Sequence, residues 1–131
     1  MVRDLFILAL LITFFMARLI SYAFHDRKNY GTPFDMSKTF TGILRRRTGF
    51  DLHHYHFGIL IILLGSVLYY FFNGNFLLIF LAVGTSLFLD QADFLITLDR
   101  EYFKTGYFRI NSLVFSSFIH LILVLSIFFF V

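Results

Sequence analysis

The sequence predicts an all-α polytopic membrane protein, a four-transmembrane-helix bundle with a short interfacial amphipathic helix in its first loop. Three observations carry that expectation. Of 131 residues, 59% are hydrophobic and only 15% are charged, where soluble domains carry roughly 25% charged residues. Four apolar runs, at about 5–24, 54–72, 76–97 and 108–131, approach the roughly 20 residues a helix needs to cross a hydrocarbon core about 30 Å thick. Lys and Arg cluster in two of the connections and are absent from the third. The runs are continuous rather than alternating, and in lipid the backbone of such a run is satisfied as a helix. No linker or internal repeat divides the chain, so residues 1–131 read as a single membrane domain.

The first run, from Leu5 to Phe24, is interrupted only by Arg18. Ser21 and Ala23 are small enough for a leader cleavage site, but Arg18 breaks the apolar region and the basic residues follow it instead of preceding it. The run is therefore expected to remain as a helix. The second run begins at the histidines of Asp51-Leu52-His53-His54-Tyr55-His56 and ends at Asn73-Gly74-Asn75, a tight hairpin signal. The third carries Asp90, Gln91 and Asp93 near its end, and the fourth places Ser112, Ser116 and His120 on one helical face.

The first loop, about 25–53, holds Arg27, Lys28, Lys38 and Arg45-Arg46-Arg47, and the second, about 98–107, is bounded by Arg100, Lys104 and Arg109. The positive-inside rule puts both loops in the cytoplasm and both termini outside a cell membrane, with only Arg3 and the N-terminal amine against it. Within the first loop Met36, Phe40, Ile43 and Leu44 recur at helical spacing ahead of the three arginines. That pattern predicts a helix lying in the interface with Arg45, Arg46 and Arg47 on anionic lipid headgroups. Beside a membrane segment the arginines point to lipid and not to nucleic acid. The absence of Cys removes disulfides, thiolate metal sites and a Cys nucleophile.

Helices two and three are expected to be antiparallel about Gly74, which brings the histidines and the aspartates to one layer just inside the cytoplasmic face. His53 and His56 share one helix face, and Asp90 and Asp93 share another. Together they offer up to four nitrogen and oxygen ligands for a divalent metal such as Zn, Mn or Fe, with His54 and Asp51 as alternative or supporting ligands. A metal-bound water there would attack a lipid or headgroup ester, with Asp93 or a free His as base and Arg45 to Arg47 on phosphate. The competing expectation is an Arg18–Asp90 ion pair, because both residues lie roughly 9 Å from the cytoplasmic end of their helices. Deeper, Thr13, Ser66, Thr85, Ser86, Ser116 and His120 form a mid-membrane polar layer, which suits close helix packing or an ion or proton path through a homo-oligomer. Haem is disfavoured, since His56 and His120 differ in depth by more than about 10 Å.

The strings Asp51-Leu52-His53-His54-Tyr55-His56-Phe57-Gly58 and Leu87-Phe88-Leu89-Asp90-Gln91-Ala92-Asp93-Phe94 resemble a pattern in small archaeal and bacterial integral membrane proteins of unassigned function. The resemblance covers about the middle third of the chain and implies a membrane protein without implying an activity. Asp90, Asp93 and Asp99 do not reproduce the aspartate spacing of prenyltransferases or CDP-alcohol phosphotransferases, and His53 and His56 have no Glu between them as a zincin helix would. The functional expectation is thus a small membrane protein with a cytoplasmic-side His/Asp site. The alternatives are a conducting oligomer or a structural membrane subunit.

Overall fold

Helices form where the apolar runs lie. A computed structural model describes residues 2–23, 47, 53–97 and 110–130, and among these the regular structure is entirely helical. In chain order the elements are α1 (Val2–Ala23), α2 (His54–Phe72), α3 (Leu77–Leu89), α4 (Ala92–Thr97) and α5 (Ile110–Phe130). Three of them are long and apolar enough to cross a membrane: Val2–Tyr22, His54–Phe72 and Ile110–Phe129. The expected interfacial helix, Asp51, Arg45 and Arg46 lie outside the described residues, and Arg47 is exposed.

The run expected to be one helix over 76–97 is two. It breaks at Asp90-Gln91, leaving α3 with 13 residues, a rise of about 20 Å. The break has a physical cause in the groups it frees. A helix end exposes carbonyls and a negative dipole end, and here Arg18 Nη2 donates to the main-chain carbonyl of Asp90 at 2.9 Å. A kink in lipid needs such a partner.

The α2–α3 hairpin turns on Asn73, whose φ of 45° and ψ of 35° put it in the left-handed region. Asn tolerates that conformation better than most residues, and its N–H closes the end of α2 on the Tyr69 carbonyl at 2.8 Å. Gly58 and Gly84 let the two helices touch through their backbones. A Cβ on Gly58 would lie 2.6 Å from Phe88 N and 2.7 Å from the Gly84 carbonyl oxygen, and one on Gly84 would lie 2.9 Å from the Gly58 carbonyl oxygen. Small residues at helix crossings are how membrane helices gain contact when lipid offers no hydrophobic drive.

The bundle buries polar groups beside apolar ones and turns large apolar side chains outward. α3 is the central helix, with α1 and α2 packed along it and α5 meeting α1, α3 and α4 more lightly. α1 buries Leu10, Phe14, Ala17 and Arg18, a single stripe at helical spacing. The described residues that α5 buries are all polar, namely Ser112, Ser116 and His120. Leu63, Phe71, Phe80, Phe118 and Phe129 face outward, as a hydrocarbon solvent allows.

Candidate functional site: a buried polar chain

The Arg18 side chain, one helical turn after Phe14 on the buried stripe of α1, is 5% exposed, and the Asp90 side chain is fully buried. Arg18 Nε donates to Asp90 Oδ1 at 2.5 Å, and Nη2 donates to the Asp90 carbonyl and to Ser116 Oγ at 2.9 and 2.8 Å. The guanidinium also lies 5.9 Å from the Phe14 ring centre, an additional attraction for a desolvated cation. The second carboxylate oxygen, Asp90 Oδ2, is 3.4 Å from His54 Nδ1. The paired charges sum to zero, which is the condition for burying either.

The chain continues through α5. Ser116 accepts from Arg18 and turns its own proton back to the Ser112 carbonyl at 2.9 Å or the Leu113 carbonyl at 3.2 Å, so its hydroxyl is used in both senses. One turn on, His120 Nδ1 faces the Ser116 carbonyl at 2.7 Å and Nε2 faces Ser86 Oγ at 3.2 Å. A carbonyl can only accept, so Nδ1 carries the proton; in the neutral ring Nε2 then accepts the Ser86 hydroxyl. The ring lies 4.3 Å from the Phe14 ring, centre to centre. Among the described residues no buried side-chain nitrogen or oxygen lacks a partner.

His53 and His56 serve the first turn of α2. His53 is the N-cap, and its N–H donates to His56 Nδ1 at 3.1 Å, the backward half of a capping box. Tyr55 N donates to Gln91 Oε1 at 3.2 Å, so the break after α3 also supplies an acceptor for an orphan N–H of α2. The His53 and His56 ring centres are 6.0 Å apart. Asp93 falls in the first turn of α4. Among the described residues no three His, Asp or Glu side chains form a group that could hold a metal ion.

The residues of the expected mid-membrane layer divide. Ser86, Ser116 and His120 meet in the interior, whereas Ser66 is exposed beside Tyr69, Tyr70 and Asn73 on the flank of the hairpin. Thr13 lines a cleft next to His54, and Thr85 is half-buried. Sequence reasoning missed Gln91, Phe14 and the Gly58–Gly84 crossing. The signals were present in a Gln beside Asp90 inside an otherwise apolar run and in glycines within long apolar runs. Comparison with protein-family models, curated proteins and solved structures found no match to this chain.

Proposed function

We propose that the chain is a four-span protein of the cell membrane that acts as a structural membrane subunit, its interior charges setting helix register. The observation that carries this reading is the set of three hydrogen bonds by which Asp90 and Ser116 hold the Arg18 head within the bundle. α3 and α4 together supply the fourth crossing, since residues 77–97 rise about 30 Å. The distribution of Lys and Arg supports cytoplasmic loops and both termini outside.

A divalent metal on His53, His56, Asp90 and Asp93 ranks below this reading. Asp90 faces Arg18 and His54, and His56 Nδ1 accepts the His53 N–H, so a metal would have to displace bonds that the fold uses. Conduction has one observation in its favour, the row of polar groups from half-buried His54 through Asp90, Arg18 and Ser116 to fully buried His120, although His120 bonds the Ser116 carbonyl and not its hydroxyl. Proteoliposome flux and elemental analysis separate the three. The structural reading predicts no proton or ion flux above empty vesicles and less than one bound metal per several chains. Flux abolished by His120→Ala, or stoichiometric metal lost with Asp93→Asn, would replace it.

A further inference from the structure

The α2–α3 hairpin turns on Asn73-Gly74, and each residue is there for a reason of the fold. Asn73 takes the left-handed conformation, which Asn tolerates better than most residues. A Cβ on Gly74 would lie 2.7 Å from Phe76 Cε1, so the Phe76 ring leaves no room for a side chain at that position. Asn73 is exposed and Gly74 half-buried. The same dipeptide is chemically labile, because a Gly nitrogen, unhindered by a neighbouring Cβ, attacks the side-chain carbonyl carbon of a preceding Asn. The bond from Gly74 N to Asn73 Cγ forms, the Cγ–Nδ2 bond breaks, and ammonia leaves with the proton that the Gly74 nitrogen gives up. Water then opens the cyclic imide to Asp or to an isoaspartyl link. No electrons are transferred, and water is the only co-reactant.

The folded turn opposes that reaction. Ring closure needs Cβ and the Gly74 nitrogen on the same side of the Asn73 Cα–C bond, which in an L residue means a ψ of about −120° by tetrahedral geometry at Cα. At the observed ψ of 35° the two groups lie on nearly opposite sides. Both flanks resist the swing. The Asn73 N–H is held by the Tyr69 carbonyl at 2.8 Å, and the Gly74 and Asn75 carbonyls accept the Leu77 and Leu78 N–H groups at 2.9 and 3.2 Å. Turning the peptide between residues 73 and 74 therefore breaks at least one bond that ends α2 or begins α3. We infer that Asn73 is a deamidation site which the closed α2–α3 hairpin holds unreactive, so that the modification marks chains whose hairpin has opened. The isoaspartyl product adds a methylene to the main chain and a carboxylate to the turn, and the original turn cannot re-form around it.

Peptide-mapping mass spectrometry reads this directly. The full chain in mild detergent and an end-blocked peptide of residues 72–76 are held side by side in warm, mildly alkaline buffer, and Asp and isoaspartyl products at Asn73 are counted over time. The peptide should react at Asn73 ahead of Asn75. The folded chain should react at least about tenfold more slowly, since one or two hydrogen bonds must open first. Phe76→Ala, which removes the ring beside Gly74, should speed the folded chain toward the peptide, whereas Phe129→Ala on the exposed face of α5 should leave it at the wild-type rate. A folded wild type that deamidates as fast as the peptide, or a peptide that does not react at Asn73, overturns the proposal. That comparison stands whether or not the variants fold, and a folded Phe76→Ala chain at the wild-type rate overturns the part given to Phe76.

Discussion

Arg18 shows how a membrane interior decides which residue may be charged. Its bonds run to a carboxylate, a main-chain carbonyl and a hydroxyl, three acceptors gathered around one cation in a low-dielectric site. At the same scale His120 is assigned one tautomer by its neighbours, with Nδ1 on a carbonyl and Nε2 on Ser86. Nitrogen-15 NMR of histidine-labelled protein at neutral pH should therefore find His120 with its proton on Nδ1, and Ser86→Ala should perturb the Nε2 resonance. His56 has a local task, accepting the His53 N–H. His56→Ala should cost about 1 kcal/mol, the usual worth of a capping interaction, and thermal unfolding in detergent would detect it. The pairing of Arg18 with Asp90 was open to inspection in the sequence because depth along a helix is a count of residues at a fixed rise. Which histidine would meet Asp90 was not, because azimuth changes by about 100° per residue. Gly58 meeting Phe88 and Gly65 meeting Leu81 centre the hairpin on residue 73, one before the expected Gly74, and His54 takes the place beside Asp90.

Among the helices, contact rests on the absence of side chains. Gly58 and Gly84 meet backbone atoms, which cannot move aside, whereas a Cβ on Gly65 would meet the Leu81 side chain at 3.1 Å. Gly58→Ala and Gly84→Ala should each destabilise by at least about 1–3 kcal/mol, the usual cost of overpacking, and Gly65→Ala by less. Equal losses at Gly58 and Gly65 in a detergent melting series would contradict the crossing. The division of the third apolar run was hidden for a related reason. Asp90 and Gln91 look, in sequence, like polar residues near the end of an ordinary span, and only Arg18, which bonds the Asp90 carbonyl, and the first turn of α2, which bonds the Gln91 side chain, give the break its partners. The first, second and fourth runs emerge within two residues of their expected starts and ends apart from the extra turn at the beginning of α1, because length and hydropathy alone govern helices of that kind.

The whole molecule is a bundle joined by polar and small residues inside an apolar perimeter. Ser66 illustrates what spacing in the sequence cannot supply, since it faces outward on the flank of the hairpin. The topology reading follows from the placement of Lys and Arg, and a reporter fused after Val131 should be active only outside the cytoplasm. The claim on which the rest depends is that Arg18 and Asp90 stabilise the fold as a pair. A thermal-stability cycle of Arg18→Leu, Asp90→Leu and the double variant measures it. Each single variant should lose about 3–5 kcal/mol, because it leaves a buried charge without its partner, and the double variant should recover most of that loss. Additive losses, with the double variant the least stable of the four proteins, would contradict the account.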